Sequence, residues 1–514
     1  MAAKLVPTAA APAAFVIDSA DLSQFRQAVQ EIASAGYSET LVRDRLGLAD
    51  IAELRWKARP VYQEERLTER DPLALAIELF LLQGAIPAWE LDALLSAPSR
   101  DVILRTGILS FDPAGLARAN ASLFPVGDRL IFSDHAWHKL PHPGYRTVPS
   151  DQVMFVGNDS RWLARATVRR PVRASLDLCT GSGIHALLAA AHSEHVVAVD
   201  INPRATRCAR FNAQVSGATN VEIIVGDLFE ALGAAGRFDL ITANPPFVPS
   251  PLDEFKFRDG GRSGEAVQQR IVAALPRYLA PGGIAQIVTE LGEREGEPIV
   301  RRVRQWLEGA PMDIHMLRLR VLSAADYAIG HATGDGDFGV YLESVRAWAD
   351  NLRAQGYARV VSILIAFEWS DSAFSSPWDR VDVSQPPRRE AGAEVEAIFS
   401  RERMARNPRG SLDGRWVCRA GPVAVFESQI LGEPVRAAAR ATLLGQALAV
   451  EHQIDPLECE ILYGLDNPVA VAGLLEIARE GGIGESAVLA AIGSLQRRGL
   501  VNVMEAGLPP AAGR

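Results

Sequence analysis

The residues Asn244-Pro245-Pro246-Phe247 follow an apolar run, FDLITA, that predicts a β-strand. Two consecutive prolines fix the backbone and remove two N–H donors, which leaves carbonyl groups pointing outward. Asn244 offers a side-chain oxygen as a hydrogen-bond acceptor, and Phe247 offers a flat face for a planar group. The motif therefore predicts a site for a planar nitrogen that carries hydrogens, as in an amide or an exocyclic amine. Such a site would act by positioning the nitrogen towards an electrophile, without a strong base.

A glycine turn lies upstream of this motif, in the run LDLCTGSGIHALLAA. Gly181 and Gly183 allow the backbone to turn tightly and to approach a ligand before a helix begins at about Ile184. Asp200 closes the next predicted strand, at the spacing where an acidic residue meets a ribose diol in nucleotide-binding folds. Asp227 closes a third strand, where it could accept a hydrogen bond from an adenine amino group. A glycine turn can merely pack a helix and prolines can merely end a strand, but four elements in this order predict a ligand pocket.

Together these segments resemble the class I S-adenosylmethionine-dependent methyltransferases, in the branch that carries an Asn-Pro-Pro-aromatic motif. That branch includes the glutamine methyltransferases of release factors and of a ribosomal protein, and enzymes that methylate guanine or adenine amino groups. The run DLCTGSG is especially similar to the protein-glutamine enzymes, with Cys179 where many relatives have glycine. The flanking regions do not share this resemblance.

The resemblance implies S-adenosylmethionine as the cofactor, and it implies a role for each matching residue. The residues expected at the cofactor are Asp177, Cys179, Thr180, Gly181, Gly183, Asp200, Ile201, Asp227, Leu228 and Asn244. Among them the glycine turn would contact the methionine end, Asp200 would hold the ribose, and Asp227 with the Leu228 amide would bind the adenine. The catalytic residues would be Asn244, Pro245, Pro246 and Phe247, which hold the acceptor nitrogen. No metal is expected.

Two further segments suit contacts with the substrate or cofactor. The glycine-rich run FKFRDGGRSGE follows the catalytic motif and predicts a substrate lid, with Arg258 and Asp259 as contacts; an ordinary solvated loop is the alternative. Upstream, Asn158, Asp159 and Ser160 suit either a lid over the cofactor or the N-cap of a helix.

Two runs upstream of the glycine turn, one rich in arginine and one in histidine, are weaker candidates for binding sites. Arg161, Arg165 and Arg169 fall on one predicted helical face, which suits an acidic partner or RNA, although a solvated face is the favoured interpretation. The run SDHAWHKLPHP contains three histidines. We expect it to lead from the end of a β-hairpin into a loop interrupted by prolines, so we do not predict that these histidines converge on a metal ion.

The fold class expected from these patterns is α/β. Near-continuous apolar strands alternate with amphipathic helices in the middle of the chain, as in a parallel sheet covered on both faces. We predict a Rossmann-like, seven-stranded, mostly parallel methyltransferase sheet flanked by N- and C-terminal mainly helical, winged-helix-like domains. The expected divisions are a disordered lead-in over 1–17, a recognition domain over 18–148, a methyltransferase domain over 149–375, a linker over 376–390 and a C-terminal domain over 391–514.

Composition limits the class of protein and its partners. The chain has 514 residues, and 53 Lys+Arg against 62 Asp+Glu give a formal net charge of −9, which disfavours binding to nucleic acid mainly through phosphate charge. Four dispersed cysteines do not suit a disulfide scaffold and favour a reducing, cytoplasmic compartment. The apolar runs are too short to span a membrane. The sequence is compatible with a homodimer but does not predict the oligomeric state.

The leading hypothesis is an S-adenosylmethionine-dependent enzyme that methylates a planar nitrogen, either a protein glutamine amide or a nucleobase amine. One alternative keeps this chemistry and acts on a small metabolite, with the flanks as lids or dimer contacts. Another alternative is a non-catalytic binding protein that keeps the fold. The intact Asn-Pro-Pro-Phe motif counts against a mere binder, because binding alone does not need it.

Overall fold

The structure is a computed structural model that describes residues 14–136, 151–233, 236–252, 256–334, 337–370, 376–406, 412, 414–429 and 436–504. Contacts divide the chain into two compact units. The first comprises Met1–Ala164, Arg170–Ala310 and Val321–Ser362, and the second comprises Arg165–Arg169, Pro311–Arg320 and Ile363–Arg514. No helix in the described part of the chain is long and apolar enough to cross a membrane.

The first unit begins with helices and two small antiparallel sheets. Its elements are α1 (Leu22–Ser34), α2 (Glu39–Leu46), α3 (Arg59–Glu65), α4 (Pro72–Ala76), β1 (Ala85–Pro87), α5 (Leu91–Leu94), α6 (Ala97–Arg105), β2 (Leu109–Phe111), β3 (Leu116–Ala119), β4 (Ser122–Val126) and β5 (Arg129–Ser133). Strands β1, β3 and β2 form one sheet in that order, and β4 pairs with β5 around Gly127 and Asp128. Gly127 has the positive φ that such a two-residue hairpin turn needs.

An aromatic cluster joins this helical region to the rest of the first unit. The rings of Phe25 in α1 and Phe132 in β5 lie within 6 Å of the ring of Phe211, at centroid distances of 5.3 and 5.4 Å. Phe15 is 3% exposed and also contacts Phe211. The predicted disordered lead-in over 1–17 is therefore wrong at its end, because Phe15 is part of the core; residues 1–13 lie outside the described part.

A parallel sheet forms the centre of the first unit. Its elements are α7 (Asn158–Ala166), β6 (Val172–Leu178), α8 (Ile184–Ala189), β7 (Ser193–Asp200), α9 (Pro203–Ser216), β8 (Val221–Val225), β9 (Phe238–Ala243), α10 (Ala266–Tyr278), β10 (Leu279–Glu293) and α11 (Ile299–Trp306). The strands lie in the order β10-β9-β6-β7-β8, and all four pairings are parallel. Chain order reverses between β6 and β9, so the crevice at their carboxyl ends is the place where α/β sheets bind ligands. The mixed α/β class is confirmed, whereas the count of seven strands is not.

A helical hairpin follows the sheet strands of the first unit. After β11 (Met312–Ser323) come α12 (Ala324–His331) and α13 (Phe338–Ala354), and then β12 (Arg359–Trp369). Tyr327, Trp348 and Tyr357 are buried here in one apolar cluster that Phe247 packs against. The Asn351 side-chain amide donates hydrogen bonds to the carbonyl oxygens of Pro249 and Arg262, at 3.1 and 2.9 Å. The hairpin therefore supports the segment that follows the Asn-Pro-Pro-Phe motif.

The second unit contains more strands than we predicted. Its elements after β12 are β13 (Asp379–Val383), α14 (Gly392–Arg406), β14 (Trp416–Arg419), β15 (Val423–Gln429), β16 (Arg436–Leu443), β17 (His452–Ile454), α15 (Pro456–Gly464), β18 (Val469–Ala470), α16 (Val471–Glu480), α17 (Glu485–Arg497) and β19 (Val501–Met504). Strands β18, β14 and β19 form one antiparallel sheet, and β15, β16 and β17 form another. The winged-helix character predicted for both flanks is not confirmed.

The predicted linker over 376–390 contains part of this folded structure. Strand β13 pairs in parallel with β11, with Ile314 opposite Asp379. The Asp382 carboxylate accepts hydrogen bonds from His315 Nε2, at 3.0 Å, and from Arg380 Nε, at 2.7 Å. A proline-containing polar segment thus becomes an edge strand because these ion pairs and the ladder satisfy its polar groups.

Candidate active site

A cavity of about 210 Å³ lies at the carboxyl ends of β6, β7, β8 and β9. It is lined by nine of the residues expected at the site, Cys179, Thr180, Gly181, Asp200, Ile201, Asp227, Leu228, Asn244 and Pro246. The structure therefore brings the glycine turn, the two acidic strand ends and the Asn-Pro-Pro motif together. Asp177, Gly183, Pro245 and Phe247, as well as Arg258 and Asp259, are not among the lining residues.

The glycine turn has a backbone conformation that explains its sequence. Gly181 and Gly183 have φ of 57° and 85°, and a Cβ atom at Gly183 would lie 3.1 Å from the Ala209 Cβ. Gly183 therefore permits close packing of α9, while Gly181 faces open space in the cavity. Cys179 has φ of 55°, in the left-handed region of backbone conformation that favours glycine. Burial raises the pKa of the Cys179 thiol well above its ordinary value.

Asp200 and Asp227 are held differently at the cavity wall. Asp200 accepts hydrogen bonds from the backbone N–H groups of Gly181 and Asn202, each at 2.8 Å, and burial raises the pKa of its carboxyl group. Its oxygens retain capacity for a further donor, such as a hydroxyl. Asp227 is more exposed and forms a 2.9 Å ion pair with Arg270. Both carboxylates can therefore accept hydrogen bonds from a polar ligand in the cavity.

Asp177 is buried beside the glycine turn, and its carboxylate accepts hydrogen bonds from groups of the protein. Its carboxylate accepts hydrogen bonds from the hydroxyl groups of Thr180 and Thr242, at 2.6 and 2.8 Å, and from the Ala186 N–H at 3.2 Å. These bonds join β6, β9 and the start of α8. Burial is the main cause that raises the pKa of Asp177 from 3.8 to about 7.

This raised pKa predicts a pH-dependent contribution to stability. Because the folded form holds the proton more tightly than the unfolded chain, the stabilisation is present below about pH 4 and is lost as the pH rises through about 7. In the wild type this group lowers the free energy of unfolding by at most about 1.4 kcal/mol per pH unit between about pH 4 and 7. We expect Asp177→Asn to remove this decline. Urea unfolding at pH 5, 6, 7 and 8 measures this difference. A free-energy gap between variant and wild type that stays constant with pH would contradict the prediction.

The orientation of the Asn244 side chain is fixed by the first turn of α7. Its Nδ2 donates hydrogen bonds to Asp159 Oδ2 and Ser160 Oγ, at 3.0 and 3.1 Å. Its Oδ1 is buried and has no hydrogen-bond partner in the described part of the chain. A buried carbonyl oxygen without a donor is costly, so the cavity is arranged to receive an N–H group at this atom. Asp159 and Ser160 thus orient Asn244, a role that was not predicted for them.

The glycine-rich loop after the motif forms backbone hydrogen bonds with the segment that directly follows Phe247. Val248 N–H donates to the Arg258 carbonyl, and Gly260 N–H donates to the Val248 carbonyl, both at 3.0 Å. Arg258 pairs with the buried Asp259 carboxylate at 2.7 Å and lies over the ring of Trp348. Lys256 and Phe257 of this loop line the cavity, whereas Arg258 and Asp259, the predicted substrate contacts, do not line it and are paired with each other.

The remaining candidates are also engaged internally. Arg161 is 3% exposed and donates to the Pro125 carbonyl, Arg165 donates to the Pro387 carbonyl, and Arg169 pairs with Glu390. Neither interpretation of these three arginines is observed: Arg161 is buried and not on a solvated face, and all three are engaged within the described part of the chain, so they form no free basic surface. His135 bonds Ser122 and the Ala119 carbonyl, while the other two histidines of its run lie outside the described residues.

Arg270 and His185 are among the lining residues that the sequence analysis missed. Arg270 on α10 joins Asp227 to Glu230, at 2.9 and 3.0 Å. His185 on α8 is buried, and neither ring nitrogen has a partner among the described residues. Burial lowers its pKa to about 3, so the ring is neutral at pH 7. Neither residue belongs to a motif, so only the fold could place them at the cavity.

Comparisons with known proteins agree with this geometry. Residues 156–303 match the model of the methyltransferase small domain family. The chain is 36% identical over 154 residues to a protein from Methanocaldococcus jannaschii named as a candidate protein N5-glutamine methyltransferase, a match that covers 28% of this chain and 76% of that protein.

Two bacterial relatives match shorter shares of their own length. A release factor glutamine methyltransferase from Geobacter sulfurreducens is 35% identical over 167 residues, which is 30% of this chain and 58% of the relative. A ribosomal protein uL3 glutamine methyltransferase from Bradyrhizobium diazoefficiens is 40% identical over 134 residues, which is 24% of this chain and 41% of the relative. The chain thus spans about half the length of these two enzymes.

Proposed function

Because the chain belongs to the class I S-adenosylmethionine-dependent methyltransferases of the glutamine methyltransferase branch, we propose that it methylates the side-chain amide nitrogen of a glutamine in a protein. The observation that carries this proposal is the buried, unpartnered Oδ1 of Asn244 at the cavity wall. A primary amide presents two N–H groups in one plane, and one of them can satisfy this oxygen.

The cavity fits S-adenosylmethionine as the cofactor. Gly181 leaves open space where the backbone meets the cavity, and the Asp200 and Asp227 carboxylates can accept hydrogen bonds from hydroxyl and amino groups. We assign Asp200 to the ribose, and Asp227 with the Leu228 amide to the adenine. When bound, the cofactor supplies an electrophilic methyl group. Gly183 and Asp177 act indirectly, by packing α9 and by holding the turn.

Asn244 holds the acceptor nitrogen in this proposal. Its Nδ2 is committed to Asp159 and Ser160, so its oxygen must face the incoming amide. A hydrogen bond from the N–H of the acceptor amide to this oxygen fixes the plane of the amide and turns its nitrogen towards the methyl donor. The site acts by orientation and by hydrogen bonding of the acceptor, and Pro246 keeps the neighbouring backbone rigid.

Two observations favour a protein acceptor. The bacterial relatives methylate glutamines of a release factor and of a ribosomal protein, as their names state. The arginines that could have bound nucleic-acid phosphates upstream are engaged within the chain, and the net charge is −9. The nucleobase alternative has no such support from these relatives.

Transfer of labelled methyl groups tests this function. Purified release factors and ribosomal proteins, and a cell extract separated into protein, RNA and small-molecule fractions, are incubated with methyl-labelled S-adenosylmethionine and the full chain. We expect label in protein, at a glutamine identified by peptide mass spectrometry, and no label at that peptide after Gln→Glu substitution in the acceptor. Label confined to RNA or to small molecules would overturn the proposal.

A further inference from the structure

A second cavity, of about 190 Å³, lies within the second unit and is lined by three arginines. Arg380 comes from β13, Arg401 from α14, and Arg498 directly follows α17. Glu394 and His452 complete the titratable part of the lining, and the rest of the wall is largely apolar. Three guanidinium groups from separate elements thus share one small cavity.

Carboxylates outside the lining fix two of these guanidinium groups. Arg380 donates from Nε to Asp382 at 2.7 Å and from Nη1 to Glu402 at 3.2 Å. Arg498 donates from Nη1 to Glu458 at 2.7 Å. A guanidinium has five N–H donors, so in the described structure each arginine keeps donors for a ligand while its position is fixed.

Arg401 has no such compensation. Its Nε is buried and has no hydrogen-bond partner in the described part of the chain. Gly499 has φ of 74°, and a Cβ atom there would lie 2.9 Å from the Arg401 Cζ, so glycine makes the room for this guanidinium. A buried N–H donor without an acceptor is unfavourable, and an anion in the cavity that accepts from this Nε would remove that cost.

One guanidinium at the cavity, that of Arg401, forms no ion pair in the described part of the chain. Glu394 directs both carboxylate oxygens to backbone N–H groups, those of Ala447 and Leu448, each at 2.7 Å. Burial, with Arg380 and Arg498 nearby, lowers the pKa of His452 to about 4, so this ring is neutral at pH 7. Asp382, Glu402 and Glu458 pair with Arg380 and Arg498, so Arg401 would supply the charge that attracts an anion, and the other two arginines would supply further N–H donors.

We propose that this cavity binds the phosphate group of a small phosphate ester, with the organic part against the apolar wall. The tetrahedral phosphate offers oxygens in several directions, which suits donors that arrive from three elements, whereas a planar carboxylate would reach fewer of them. Arg401 is the residue on which affinity depends most, because its Nε lacks any other partner in the described chain.

Isothermal titration calorimetry of the full chain tests the site, at constant ionic strength set with chloride. The probes are inorganic phosphate and glycerol 3-phosphate, and the variants are Arg401→Met and the control Arg479→Met, whose side chain is exposed and pairs with Glu485. We expect Arg401→Met to weaken binding of both probes about tenfold to a hundredfold, and Arg479→Met to leave it unchanged. We also expect the ester to bind more tightly than inorganic phosphate.

Thermal unfolding provides a readout that does not depend on calorimetry. Phosphate should raise the unfolding temperature of the wild type and of Arg479→Met, but not that of Arg401→Met. Without ligand, Arg401→Met should unfold no earlier than the wild type, because it removes an uncompensated charge. Equal phosphate effects on the wild type and Arg401→Met would overturn the site, and an ester that binds no better than inorganic phosphate would overturn its assignment to a small ester.

Discussion

Replacement of Asn244 by alanine is expected to lower kcat for methyl transfer by about a hundredfold to a thousandfold, the range for loss of one preorganised hydrogen-bonding group. The acceptor amide then loses the oxygen that fixes its plane, while Gly181, Asp200 and Asp227 at the cofactor are unchanged. The Kd for S-adenosylmethionine should therefore stay within about twofold. Single-turnover transfer to the glutamine acceptor and calorimetric titration of the cofactor measure the two quantities.

Two variants control this experiment. Asn220→Ala removes an asparagine whose amide also donates to two carbonyl oxygens, those of Ala190 and Ser193, but which lies outside the cavity lining. It should retain full methyl transfer once folded. Asn244→Asp keeps an acceptor oxygen but places a second carboxylate against Asp159, so it should not restore activity. Equal losses of transfer and of cofactor affinity in Asn244→Ala would contradict the assigned role.

Gly264→Ala is expected to lower kcat/KM for the acceptor by about tenfold to a hundredfold, because small displacements of a positioned group are costly in rate. A Cβ atom at Gly264 would lie 2.3 Å from the Phe247 carbonyl oxygen and 3.0 Å from the Pro249 nitrogen. The backbone of the Asn-Pro-Pro-Phe segment must shift to relieve this contact. Cofactor affinity should be retained, since neither Gly264 nor Phe247 lines the cavity.

The same loop offers a matched control. Gly261 has φ of 77°, close to the 74° of Gly264, but a Cβ atom there meets nothing within 4 Å. Gly261→Ala therefore carries similar backbone strain without the contact with Phe247. We expect it to lose less stability than Gly264→Ala, which adds the contact to the strain, and to keep most of its acceptor kcat/KM. Parallel losses of activity in both variants would show that strain alone is responsible.

The part of the site that could be predicted from the sequence is the part carried by local motifs. Glycines after β6, an acidic residue at the end of β7 and prolines after β9 each have a local backbone reason to occur. Parallel strand order then places their ends at one edge of the sheet. For this reason the cavity contains Gly181, Asp200 and Asn244 as expected.

The parts that could not be predicted depend on contacts distant in sequence. Asp159 and Ser160 lie more than 80 residues before Asn244, and their sequence shows only a helix start. Asp177 matches the family motif, yet its carboxylate turns away from the cavity because two threonine hydroxyls and an amide occupy it. The sequence of strand β13 predicts a linker, because its polarity is offset only by partners distant in sequence, such as His315.

The helical hairpin α12–α13 supports the active site from a part of the chain that lies outside the match to the family model. Most of the cavity lining lies within residues 156–303, which match the family model, whereas Asn351 and Trp348 support the segment after the Asn-Pro-Pro-Phe motif from outside that range. A sequence change in the hairpin can therefore shift the backbone after the Asn-Pro-Pro-Phe motif while Asp200 and Asp227 stay in place.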